Sequence, residues 1–306
     1  MRLDDLPQSE NIEDRRGDDS SAGGGGGFGF PMGRGGLGIG TIAILGIIGY
    51  ALGIDPRLLI GGAELLSGSG HQQTRSQPSG KTGAPSDEMG KFVARVLGST
   101  EVQWKLAFEQ AGKRYKNPSL VMFNGATRAD ACGQAQSAMG PFYCPSDQKI
   151  YLDTSFFRDL ERRFKGCDAG SRACQFAQAY VIAHEVGHHV QNQLGILPEV
   201  QQKQRGLSKT EANHWQVKVE LQADCFAGVW ANKSDQQWKL IEPGDVEAAM
   251  KTAAAIGDDR LQKQAQGYAV PDSFTHGSSE QRQRWFNAGL KGGTVASCNT
   301  FTAAQL

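Results

Sequence analysis

Apolar and polar positions divide the chain at about residue 87. Residues 1–36 are acidic, then glycine-rich, with Gly23 to Gly27 unbroken and almost no apolar periodicity, the pattern of a disordered tail. From Gly35 to Ile54 no residue is charged. A helix there would span ~30 Å, the thickness of a bilayer's hydrocarbon core. The segment lies far from the N-terminus, follows an acidic stretch and lacks an A-x-A cleavage site, so it predicts an uncleaved transmembrane signal-anchor over 37–54. Arg15, Arg16 and Arg34 precede it and only Arg57 follows closely. That asymmetry places the N-terminus in the cytoplasm and the rest outside, a single-pass inner-membrane protein with a periplasmic or extracytoplasmic domain. Residues 55–86 complete this half as a polar Gly/Ser/Pro linker.

Beyond residue 87 the periodicity changes to that of a folded domain, 87–306. Residues 87–115 predict a helix capped by Ser86 or Asp87, with Phe92, Val96, Val102, Trp104 and Leu106 inward. Short strands are expected at 120–123, 140–143 and 149–152, and helices at 175–194, 211–230, 245–264 and 278–290. Residues 195–210 are either a lid or a connection between two helices. Several helices with a few short strands make an α+β domain.

Composition narrows the classes. With 32 basic and 32 acidic side chains the formal charge is zero, without the cationic surplus that nucleic-acid binding needs. A hydrophobic content of 39% is too low for a multi-pass membrane protein and too high for a disordered one. Six cysteines all lie at or after Cys132. Cys132 with Cys144, and Cys167 with Cys174, could each close a small loop as a disulfide, which fits an extracytoplasmic compartment. Cys225 is either a buried free thiol or the partner of Cys298.

The chemistry concentrates in AYVIAHEVGHHVQNQL, which contains His184-Glu185-x-x-His188. Residues four apart share one helix face, so both imidazoles can reach a single ion. Ile182, Val186, Val190 and Leu194 form an apolar stripe on the opposite side. Glu185, one step from the first imidazole, is placed to take a proton from a zinc-bound water. Gly187 costs a helix roughly 1 kcal/mol relative to Ala, which suggests that something packs against it. His189 points elsewhere, toward the surface or behind a ligand. A catalytic zinc usually has three protein ligands, and VELQADCFAGVW offers the third: Glu220 and Asp224 are four apart on a largely apolar helix. Glu220 would ligate, and Asp224 would accept a hydrogen bond from His184 or His188. His214 is the weaker alternative.

The stretches GPFYCPSDQKIYLDTSFF, AYVIAHEVGHHVQNQLGI, VELQADCFAGVW and HGSSEQRQRWFNAG resemble, in that order, the bacterial neutral zinc metallopeptidase family. The resemblance implies a zincin-like α+β peptidase domain behind one transmembrane helix. It further implies one Zn2+ held by His184, His188 and Glu220, with Glu185 as general base. The strand IYLD would be the edge along which an extended peptide or protein substrate pairs. HtpX-like membrane metallopeptidases offer a further parallel, a late histidine followed six residues on by an arginine. By that analogy His276 stabilises the oxyanion and Arg282 braces Glu220 or Asp224; otherwise His276 caps the helix starting near Ser278. The competing functions are hydrolysis of a non-protein amide such as cell-wall peptide, and a catalytically silent, membrane-tethered, zinc-stabilised adaptor. No feature of the sequence sets the oligomeric state.

Overall fold

The computed structural model describes residues 1–17, 80–129, 131–136, 140–162, 167–168 and 171–306. Its central sheet contains β1 (Ile12–Asp14), β2 (Lys81–Thr82), β3 (Ser119–Phe123), β6 (Phe142–Cys144) and β7 (Lys149–Asp153) in the order β2-β1-β3-β7-β6. β1, β3 and β7 run parallel, whereas β2 and β6 are antiparallel to their neighbours. A hairpin of β4 (Ala126–Ala129) and β5 (Gly133–Gln136) stands apart as a second sheet. The segment IYLD, expected at the edge, belongs to β7 and lies between β3 and β6. Its run Ile150, Tyr151, Leu152 is buried residue after residue, the signature of an interior strand rather than an edge. The edge on that side is β6.

The helices are α1 (Glu88–Gln110), α2 (Ser155–Arg162), α3 (Arg172–Gln193), α4 (Ile196–Gln204), α5 (Lys209–Trp238), α6 (Asp245–Ala255), α7 (Asp258–Gln266) and α8 (Ser279–Gly292). Asp87 caps α1 by accepting the Gly90 N–H at 3.1 Å. The buried stripe of α1 runs through Phe92, Val93, Val96, Leu97, Trp104 and Phe108. Leu106, two positions from both Trp104 and Phe108, faces away and is 43% exposed rather than inward. The expected helix at 245–264 is two helices, α6 and α7, broken at Ile256 and Gly257. Residues 195–210 contain α4, whose Gln204 Nε2 donates to the Ala212 carbonyl at 2.9 Å and whose Lys203 lies over the Trp215 ring.

The N-terminal seventeen residues overturn two expectations. They are not a disordered tail: Met1, Leu6 and Ile12 are buried in the main core, and β1 pairs with β3 from Ile12↔Leu120 to Asp14↔Met122. Sparse apolar residues suffice because a strand inserted beside β3 also gains the ladder's backbone hydrogen bonds. Arg15, read above as a cytoplasmic flank, is buried, with Nε donating to Glu13 at 2.8 Å and Nη1 to the Arg128 carbonyl at 2.8 Å. A chain crossing a bilayer once between residues 17 and 80 would put β1 and β3 on opposite sides, yet they share a sheet. Among the described residues no helix is long and apolar enough to cross a membrane, and the expected span at 37–54 lies outside them. The single-pass anchor, and the periplasmic location that rested on it, are therefore not retained. Of the expected linker, residues 81–82 form β2.

The helices pack face to face because small residues let their backbones approach. A Cβ at Gly187 would lie 3.0 Å from the Ala223 Cα and carbonyl oxygen, so α3 and α5 touch there. A Cβ at Gly289 would lie 1.9 Å from the Cys225 carbonyl oxygen, so α8 touches α5 more closely still. Around these contacts Trp104 packs edge-on against Phe226, and Tyr180 against Phe286. Disulfides join Cys132–Cys144, Cys167–Cys174 and Cys225–Cys298. The last ties α5 to the 3-10 turn Val295–Cys298.

Gly289→Ala is expected to destabilise the fold by about 1–3 kcal/mol, because the inserted methyl meets backbone that cannot rotate away. A lower midpoint in chemical denaturation measures it; an unchanged midpoint would contradict the contact between α5 and α8.

Candidate metal centre

α3 and α5 supply the site. Ser171 caps α3 and the Ser208–Glu211 capping box starts α5, so both helices begin well before the residues that matter. Where they cross at Gly187 and Ala223, His184 and His188 of α3 face Glu220 of α5. One potential ligand atom from each of the three lies within 4.8 Å of the others. Glu220 Oε2 is 3.2 Å from His184 Nε2 and 3.5 Å from His188 Nε2. Ligands at about 2.0–2.1 Å in a tetrahedral shell are separated by roughly 3.4 Å, so this spacing suits one zinc-sized ion.

The charge balance points the same way. Glu185, Glu220 and Asp224 are buried together against one guanidinium, Arg282. Among these four groups, with His184 and His188 neutral, two negative charges are left over, which one divalent cation would cancel; the further buried carboxylate, Asp258, pairs with His276. Without that cation the imidazoles respond: burial opposes their charge, but Asp224 and Glu220 hold His184 up at about 10 and raise His188 as well. Burial likewise opposes ionisation of Glu220, yet the charges of His188 and His276 keep its carboxyl well below the usual range.

Asp224 is the hub behind the candidate ligands. Its Oδ1 lies 2.8 Å from His184 Nδ1 and accepts the Tyr180 hydroxyl at 2.5 Å. Arg282 donates to it twice, from Nε at 2.8 Å and Nη2 at 2.9 Å. Burial would raise this carboxyl, but Arg282 and His184 bring it down to about 2. Of the two expected partners of Arg282, Asp224 is the one it bonds, and of the two imidazoles expected at Asp224, His184 is the one that meets it.

The remaining candidates sort by position. His276 does not cap α8, a role taken by Ser278. Its Nδ1 faces Asp258 at 3.3 Å and the Thr275 hydroxyl at 3.0 Å, and its charge reaches Glu220. His214 is exposed on α5 and takes no part. His189 is fully buried instead of being at the surface, stacked edge-on between Tyr115 and Tyr143. Its Nε2 donates to the Lys116 carbonyl at 2.7 Å and its Nδ1 accepts the Tyr143 hydroxyl at 3.0 Å, so it bolts β6 to α3.

Sequence reasoning passed over four residues. Tyr180 stands one turn before His184, Gln191 three residues after His188 at 2.9 Å, and Gln216 one turn before Glu220, donating to its Oε1 at 2.9 Å. Each has helical i±3 or i±4 spacing from a ligand, a signal available in the sequence. Asp258 has none, because its contact with His276 spans eighteen residues that include the whole of α7 and a 3-10 turn.

An HExxH helix crossed by a helix that adds a glutamate, on an α+β scaffold, is a candidate metal site of the arrangement that zinc peptidases use. The chain belongs to the family described as "Putative neutral zinc metallopeptidase", which matches residues 1–301. It is 49% identical over 304 residues to uncharacterized protein YpfJ of Escherichia coli (strain K12), covering 98% of this chain and 99% of that one. It is 40% identical over 236 residues to uncharacterized protein Rv2575 of Mycobacterium tuberculosis (strain H37Rv), covering 74% and 75% respectively. No solved structure matches the chain.

Arg282→Met should cost about 3–5 kcal/mol, because it leaves Asp224 buried without its cation. In a double-mutant cycle with Asp224→Asn, a coupling near zero would contradict the ion pair.

Proposed function

We propose that the chain is a zinc-dependent endopeptidase, with His184 and His188 binding through Nε2, Glu220 through Oε2, and Glu185 as general base. The observation carrying this reading is the convergence of those three atoms beside Glu185, the neighbour of a ligand on the same helix. Zinc bound there supplies Lewis acidity, lowering the pKa of a water to about 7 and polarising the scissile carbonyl.

Burial raises the Glu185 carboxyl above its ordinary value. That strengthens it as the base that takes the water's proton and returns it to the leaving amine. With Asp258 and Thr275 holding its ring through Nδ1, His276 would donate a hydrogen bond to the developing oxyanion. Tyr180, Asp224 and Arg282 hold the His184 ring without touching substrate. An extended peptide would pair with the edge strand β6, which Tyr143 fastens to the metal helix.

Purified wild-type chain should contain one zinc by elemental analysis, and Glu220→Gln little. Glu185→Gln should keep its zinc while hydrolysis of an unfolded protein falls by about 10²–10⁴-fold. Full turnover in that variant would sink the mechanism. Wild-type activity on isolated cell-wall fragments but not on unfolded protein would move the substrate to a non-protein amide.

A further inference from the structure

The two histidines are oriented by different means. His184 turns its Nδ1 to a carboxylate, Asp224, whereas His188 turns its Nδ1 to a neutral amide, Gln191 Oε1, at 2.9 Å. Gln191 is fully buried, and its amide nitrogen donates to two acceptors, the Val219 carbonyl at 2.7 Å and Gln222 Oε1 at 3.0 Å. Gln222, also buried, donates onward to the Cys298 carbonyl at 2.9 Å. Every member has one consistent direction. Reversing the Gln191 amide would set its oxygen against the Val219 carbonyl and its NH2 against the Nδ1–H of His188.

We propose that Gln191 and Gln222 are positioning residues for His188, forming an amide relay anchored on the Cys298 carbonyl. The relay keeps the proton of His188 on Nδ1 and turns Nε2 toward Glu220 Oε2, 3.5 Å away. Its far end is held in place: Cys298 is bonded to Cys225 of α5, and the Thr300 hydroxyl donates to the Lys218 carbonyl at 2.7 Å. The C-terminal turn thereby sets the direction of a proposed ligand on another helix. The relay rests on the reading of His188 as a zinc ligand.

The test uses full-length wild type, Gln191→Leu, Gln191→Glu, Gln222→Leu and the double leucine variant, each shown folded by circular dichroism. Zinc affinity is read by competition with a chromophoric chelator, and ligand geometry by the d–d absorption of the cobalt(II) form. Gln191→Leu should bind zinc about 10–100-fold more weakly and alter the cobalt spectrum. Gln191→Glu keeps an acceptor for Nδ1–H but sets its second oxygen against the Val219 carbonyl and Gln222 Oε1, so it should recover only part of the affinity. Gln222→Leu should lose less, and the double variant no more than Gln191→Leu alone, because members of one relay are not additive. Should Gln191→Leu fail to fold, Gln222→Leu carries the comparison. Wild-type affinity and spectrum in the folded leucine variants, or strictly additive losses, would overturn the relay and leave the site standing. A wild-type chain that holds no zinc would overturn the site and the relay together.

Discussion

The buried carboxylate of Asp224 is the interaction on which the rest of this structure depends. It is wholly removed from water and yet ionised, which is tolerable only because Arg282, Tyr180 and His184 all bond to it. Those partners come from α8 and α3, so the charge on α5 can be satisfied only when all three helices are docked. The glycine contacts serve this requirement. Without the close approach at Gly289 and Cys225, Arg282 could not reach across from α8, and without that at Gly187 and Ala223 the His184 ring would stand too far away. Helix packing and the electrostatics of the site are thus one condition, met together or not at all.

The legible parts of the site were those with a local period. His184 and His188, Glu220 and Asp224 each lie four apart, and any helix through them puts each pair on one face. What joins the two helices is a long-range contact, and the sequence supported it through the cost of two carboxylates on a largely apolar helix and through resemblance to a known family rather than through spacing. Local reasoning failed where the fold used few residues for a long-range purpose. β1 is three residues in an acidic segment, a composition indistinguishable from a tail until β3 is there to pair with it. The same segment supplied Arg15 as a topological flank, whereas a buried guanidinium bonded to Glu13 and a β4 carbonyl is part of the fold's own framework. The resemblance puts the segment of β7 at an edge, whereas its unbroken apolar run marks an interior strand. The break at Ile256 and Gly257 brings Asp258 beneath His276, a placement no periodicity foreshadows.

Adjacent residues of α3 divide the work of the proposed peptidase between its two sides. His188 faces Glu220, and His189, about 100° further round the helix, faces β6. Burial drives the His189 pKa down to about 4, so the ring stays neutral at ordinary pH. One nitrogen is therefore a donor and the other an acceptor, as the Lys116 carbonyl and the Tyr143 hydroxyl require. Asn192, one turn beyond His188, adds a second bond to the Tyr143 hydroxyl at 3.0 Å and one to the Pro145 carbonyl at 3.2 Å. The edge strand and the two candidate ligand histidines are thus referenced to the same turns of one helix. A peptide paired with β6 would have its scissile bond placed relative to the proposed ion through the contacts of Tyr143 with His189 and Asn192. The placement of nucleophile against carbonyl that hydrolysis needs is then a property of α3 itself.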